Sequence, residues 1–141
     1  MVARAKSKGE LLAHLKTRGV EDDVAQAIIF RLQEAGLVND LDFARAWAQS
    51  RHTHKKISKR VISTELRQKG VVQEFIDCAL EEIDEDAEFS TALALAEKKF
   101  QSLSRYESEV QIRRIQSLLA RKGYGFPTIS RVLQELNIIS E

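Results

Sequence analysis

The sequence predicts an all-helical protein: tandem repeats of one three-helix module, stacked into an elongated, curved body. Three observations predict it. One proline, Pro127, and six glycines occur in 141 residues, whereas an all-β chain needs a turn signal about every 8–12 residues. One phrase recurs, as Leu15-Lys16-Thr17-Arg18-Gly19-Val20, Leu66-Arg67-Gln68-Lys69-Gly70-Val71 and Leu119-Ala120-Arg121-Lys122-Gly123-Tyr124. Apolar residues also keep register around each of those glycines, at helical spacing.

Ahead of the glycine, Leu11, Ile62 and Ile115 stand eight residues back, and Leu15, Leu66 and Leu119 four back. Beyond it come Ile28-Ile29, Ala79-Leu80 and Val132-Leu133, then Leu32, Ile83 and Leu136. Steps of three, four and seven put these on one helix face. The glycine suits a helix C-terminus that needs positive φ, and the base before it meets the helix dipole. Each repeat therefore reads helix, glycine stop, helix.

A third helix follows in the first two repeats. Asn39 or Asp40 caps one that runs to about residue 53, with Phe43 and Trp47 stacked at i, i+4. Its counterpart begins near Asp84–Asp86 and passes Phe89, Leu93, Ala96 and Phe100. The third repeat ends at Glu141 before such a helix can form. The expected organisation is repeat 1 over 1–53, repeat 2 over 54–103 and repeat 3, with two helices, over 104–141. That makes about eight helices.

An apolar share of 43% with 30% charged residues excludes a disordered chain. Cys78 is a single cysteine, so no internal disulfide forms, and it reads as a small buried or half-buried residue before it reads as a nucleophile. The lack of any membrane-length apolar run or signal peptide places the expected protein in the cytosol. His14, His52 and His54 lack metal-site spacing and are expected to be solvated. No glycine-rich phosphate loop or nucleophile elbow occurs. The expectation is a binding protein with no catalytic site, cofactor or metal.

Net charge is +1, yet the charges are segregated. Arg51, Lys55, Lys56, Lys59, Arg60, Arg67 and Lys69 are broken only by Glu65. They form either a solvated segment joining helices or a contact for phosphates or an acidic protein surface. The acids from Glu74 to Glu88 serve capping and solvation. Bases return as Lys98, Lys99, Arg105, Arg113, Arg114, Arg121 and Lys122. Tyr106, Tyr124 and Phe126 lie among them, as staples between helices or as stacking platforms for nucleobases.

Three stretches carry a resemblance. They are Val38-Asn39-Asp40-Leu41-Asp42-Phe43-Ala44-Arg45-Ala46-Trp47 with Ser50-Arg51; Ile62-Ser63-Thr64-Glu65-Leu66-Arg67-Gln68-Lys69-Gly70-Val71; and Ile115 to Leu119 with Arg121-Lys122-Gly123-Tyr124 and Ile129. In this order, over nearly the whole chain, they resemble the RecX regulatory proteins of bacteria. The resemblance implies a monomeric regulator of the RecA recombinase in recombination, DNA repair and the SOS response. Such a protein binds the RecA filament, inhibits its ATP hydrolysis, strand exchange and coprotease activity, and in some members also binds DNA. The bases named above would then face RecA or DNA. Family members usually carry another helix before the segment matching residues 7–19, here missing or reduced to about six residues, which leaves one face of the first repeat uncovered. Where they often have Pro and Gly, this chain has Lys56-Ile57-Ser58, and Ser58 can cap a helix. The alternatives are a helix-turn-helix protein that binds DNA without RecA, and a helical scaffold for another acidic partner.

Overall fold

The computed structural model describes residues 6–139, and all regular structure among them is helical. The helices are α1 (Lys8–Thr17), α2 (Asp22–Glu34), α3 (Asp40–Lys55), α4 (Lys59–Gln68), α5 (Gln73–Glu81), α6 (Glu85–Ser102), α7 (Ser108–Arg121) and α8 (Phe126–Glu135). Three helix–glycine–helix pairs therefore occur, with the long α3 and α6 after the first and second. The expectation about a helix ahead of residue 7 falls on residues 1–5, outside the described residues.

The recurring phrase is one C-terminal motif made three times. Gly19, Gly70 and Gly123 have φ of 82°, 82° and 96°, the left-handed region that L side chains avoid. Val20, Val71 and Tyr124 each donate a backbone bond to the leucine five residues earlier, Leu15, Leu66 and Leu119, at 3.0–3.1 Å. The glycine amides bond Lys16, Arg67 and Ala120 at 3.0 Å. This is the Schellman arrangement, in which the residue after the glycine also packs near the leucine it bonds. The repeat conserves Leu and Gly together because one closes the turn and the other permits it.

The chain forms two compact units, each described by itself: Met1–Gln49 with Ser63–Glu82, and Ser50–Ile62 with Ile83–Glu141. In the first, α1 packs on α2, and the buried apolar residues include Ala25, Ile29, Phe43, Ala44, Ala48, Leu66, Val71, Ile76 and Ala79. In the second, α6 lies against both α7 and α8. Its Ala92 and Ala96, one turn apart, let Ile115, Leu119, Tyr124, Ile129, Val132 and Leu133 close over them. Each large aliphatic side chain buried there contributes about 1.5–3 kcal/mol.

Each unit also seats a helix N-terminus on a glycine turn. In the first, Ser7 caps α1 in a capping box with Glu10 and donates its hydroxyl to the Lys69 carbonyl at 2.8 Å. The Lys8 amide bonds Asp40 at 2.8 Å, and Glu10 pairs with Lys69 Nζ at 3.0 Å. In the second, the Ser58 amide donates to the Lys122 carbonyl at 3.0 Å, and its hydroxyl accepts from Val61 N. The Lys59 amide bonds Glu88 at 2.7 Å. Both serines are buried.

A Cβ on Gly123 would run into Val61 Cγ2 and Ser58 Oγ, whereas one on Gly19 meets nothing within 4 Å among the described residues. Gly19→Ala is expected to cost about 1 kcal/mol, the left-handed penalty alone. Gly123→Ala is expected to cost at least ~2 kcal/mol more, through overpacking. Urea unfolding followed by circular dichroism measures both, and equal losses would mean that the docked serine bears no part in stability.

Candidate functional site

Twelve of the fourteen bases singled out from charge lie in the second unit, and only Arg67 and Lys69 in the first. Several serve the fold. Lys69 is half-buried, paired with Glu10, with its Nζ 4.3 Å from the Trp47 ring centre. Trp47 in turn donates to Glu65 at 3.1 Å. Arg67 bonds Ser63 at 2.8 Å and Gln73 at 3.0 Å. Arg60 donates through Nε and Nη2 to the Gly123 carbonyl at 3.2 and 3.0 Å, and so supplements the closing of α7.

The loop between α3 and α4 meets the same turn. Lys56 takes positive φ, 58°, and its Nζ reaches back to the Thr53 carbonyl at 2.8 Å. Its own carbonyl accepts from the Tyr124 hydroxyl at 2.9 Å. Residues 56–60 and 121–124, far apart in sequence, thus converge at one end of α7. Lys59 and Lys122 are half-buried there, and Arg51 is half-buried on α3.

A different set is available for contact. Lys55, Lys98, Arg113, Arg114 and Arg121 are exposed, and Lys99 is half-buried. Lys98 and Lys99 of α6, with Leu95 and Ser102, line a shallow depression of about 330 Å³ whose α7 wall is Leu118. Arg114, four residues before Leu118, and Arg121, three after it, share that face of α7 by helical spacing. Lys98 and Lys99 therefore border an apolar floor of Leu95 and Leu118, and Arg114 and Arg121 extend the basic character along Leu118's side of α7. Such a face fits an acidic protein surface or a phosphate backbone. Arg114 also lies over the Tyr106 ring, 4.5 Å from its centre.

Two expectations need correction. His52 is 7% exposed, not solvated. It continues the buried Ala44–Ala48 stripe by one further turn, and its ring nitrogens reach the Ile57 carbonyl at 3.1 Å and Thr91 at 2.9 Å. Tyr124, at 3% exposure, is a staple with no face free for a nucleobase, while Tyr106 and Phe126 are exposed. Cys78 is half-buried. Among the described residues no group of three or more His, Cys, Asp or Glu could hold a metal, and no helix is long and apolar enough to cross a membrane. Ser7 and Ser58 seat helix on turn; the signals that could have found their capping roles are Ser7-x-x-Glu10 ahead of Leu11-Leu12 and Ser58's capping chemistry, while their distant carbonyl partners had none.

Comparison with known proteins agrees with this arrangement. Residues 39–80, nearly all of α3–α5, match the family model described as the second three-helix domain of RecX, and residues 86–133, most of α6–α8, match the third. Proteins called "Regulatory protein RecX" are similar over most of the chain. That of Amycolatopsis mediterranei is 36% identical over 96% of this chain and 77% of its own. Those of Mycobacterium avium and Mycobacteroides abscessus are 39% and 45% identical over 89% of this chain, and 73% and 62% of theirs. The crystal structure of RecX from Lactobacillus salivarius shares the fold, with a TM-score of 0.82 at 23% identity over 95% of this chain and 87% of that one.

The division of the bases is measurable. Arg60→Ala is expected to lower stability by about 1 kcal/mol, since it removes a charged partner of a helix C-terminus. Arg113→Gln, exposed in the middle of α7, is expected to stay within ~0.5 kcal/mol of the parent. Urea midpoints decide it, and a larger loss at Arg113 would reverse the assignment.

Burial lifts the Tyr124 hydroxyl well above the ordinary phenol range, and the Glu88 charge adds to the rise. Folding therefore favours the protonated phenol, while the unfolded chain loses that proton near its ordinary value of 10.0. The stability from this group is full below that pH and falls as pH rises above it. Tyr124→Phe should flatten the alkaline limb of stability against pH; an unchanged limb would show that the proton is not held.

Proposed function

Because this chain belongs to the RecX family of regulatory proteins, we propose that it binds the RecA recombinase filament and inhibits its ATPase, strand-exchange and coprotease activities. The observation that carries the reading is the 36–45% identity to such regulators, which extends over 89–96% of the chain. The basic α6–α7 face supports it: Lys98 and Lys99 line an apolar depression with Leu95 and Leu118, and Arg114 and Arg121 share Leu118's side of α7 by helical spacing. Opposite charge steers encounter and fixes register, and the apolar floor adds area that leaves water on contact. In this reading the bound protein lies on acidic RecA surface and blocks filament growth. The bases at the α3–α4 loop also bond within the fold, so among the bases named from sequence this reading puts most weight on the α6–α7 face.

A second reading, DNA binding without RecA, is favoured by Arg114 stacked on the exposed Tyr106, since such a pair can meet phosphate and base together. It differs in its salt response, with a log–log slope of about −0.7 per phosphate contact on single strands.

In DNA-dependent ATP hydrolysis by RecA from the same organism, with single-stranded DNA in excess, inhibition is expected well below one copy per RecA. Reversing Lys98, Lys99, Arg114 and Arg121 together to Glu is expected to raise the concentration for half-inhibition at least tenfold, with the fold intact by circular dichroism. Unchanged inhibition would remove this face from the contact. Relief by added DNA would favour the second reading, and no inhibition at any concentration would overturn the first.

A further inference from the structure

The helix pairs α3–α4 and α6–α7 repeat one another, and they differ in what fills the space between them. Counted from the buried alanines, Ala44 and Ala48 of α3 and Ala92 and Ala96 of α6, Trp47 and Leu95 take the same place. Counted back from Gly70 and Gly123, Glu65 of α4 and Leu118 of α7 take the same place. In the first unit the Trp47 indole crosses to Glu65, donating to its carboxylate at 3.1 Å. Lys69 Nζ lies 4.3 Å from that ring's centre, and Phe43 stacks on it with ring centres 6.0 Å apart. In the second unit leucines replace both the indole and its acceptor. Leu95 and Leu118 line an open depression of about 330 Å³ with Lys98, Lys99 and Ser102.

The polar groups at this depression are unspent. Lys98 and Lys99 form no ion pair among the described residues. The Ser102 hydroxyl gives its proton to the Lys99 carbonyl at 2.6 Å, so its oxygen is left as an acceptor, the part that Glu65 plays toward Trp47.

We propose that the α6–α7 depression takes one tryptophan side chain from an acidic segment of a partner protein. The indole body covers Leu95 and Leu118, and its N–H donates to Ser102 Oγ. Asp or Glu on either side of the tryptophan answers Lys98 and Lys99, whose ammonium groups also favour the ring face, as Lys69 does at Trp47. Aromatic anchors seated in pockets carry a large share of the binding energy at protein interfaces. A nucleic acid fits less well, because phosphate gains nothing from two leucines and the polar edge of a base would find a single hydroxyl. A second copy of this chain is not the occupant: its exposed Phe30, Tyr106 and Phe126 are not flanked by acids on both sides, and its Trp47 is already bound to Glu65. Met1–Ala5 and Ser140–Glu141 contain no aromatic residue. The proposal rests on the α6–α7 face being the contact and not on the partner being RecA.

The test uses the full chain, labelled with nitrogen-15, and the peptide Asp-Glu-Asp-Trp-Glu-Asp-Glu blocked at both ends. Saturable shifts are expected at the amides of Lys99, Ser102 and Leu118. Changing the peptide's Trp to Ala, or combining Lys98→Glu with Lys99→Glu in the protein, should weaken binding at least tenfold. Ser102→Ala should weaken the Trp peptide and leave its Phe counterpart unchanged. Four results would each overturn the proposal: no shift at Leu118 with millimolar peptide, equal binding of the Ala peptide, equal losses for the Trp and Phe peptides in Ser102→Ala, or tighter binding of oligothymidylate at the same amides, which would assign the depression to nucleic acid. RecA is absent from this titration, so its failure leaves inhibition of RecA standing, and absence of RecA inhibition leaves the peptide result standing.

Discussion

The structure depends on satisfying the ends of one helix with the end of another. A helix leaves four amides unpaired at its start and four carbonyls at its finish, and burial of either end without partners is costly. Here one junction serves both. A buried serine closes the start of a helix while it donates to the last carbonyl of the helix it meets, at Ser7 on Lys69 and at Ser58 on Lys122. A carboxylate from a long helix, Asp40 or Glu88, takes the next amide. The consequences reach the composition of the repeat. The turn must be glycine, because its backbone is left-handed and, at Gly123, because no side chain fits beneath Val61.

Much of this fold is legible from residue order. The Leu and Gly of the recurring phrase are four residues apart because the motif that ends each helix bonds across that span, so a local pattern reports a local geometry. Capping at Asn39 and Asp84 marks the long helices, whose side chains accept from Asp42 and Ala87. What residue order leaves open is which distant groups meet. Ser7 and Lys69, or Ser58 and Lys122, are more than sixty residues apart, and nothing in either segment alone announces the other. A period, too, can be divided at any phase. The family models divide it at the starts of α3 and α6, near residues 39 and 86, while the reading from sequence divided it ahead of the glycine-bearing pairs.

The candidate site shows the same limit in electrostatic form. Charge in a sequence records which residues carry it, not what they already contact. Arg60 and Lys69 belong to a conspicuous basic run, yet one meets the end of α7 and the other a carboxylate and an indole ring. Arg114 and Arg121 are no more conspicuous in sequence, but their helical spacing about Leu118 turns them toward the same open face as Lys98. His52 is polar by type and buried by position, since the turn of α3 that carries Ala48 also carries it inward. In each case the neighbour across space, and not the residue type, decides the role.

The serine junction also has a direction. The earlier repeat always supplies the serine and the later one always supplies the carbonyl, so a repeat has two unlike edges, as a tongue differs from its groove. An array joined this way is polar. A duplicated repeat inserted between two others would find a matching edge on both sides, whereas the same repeat inserted in reverse order of its helices would find neither. Growth or shrinkage of such a chain over evolutionary time is thereby confined to whole steps of about fifty residues in one orientation.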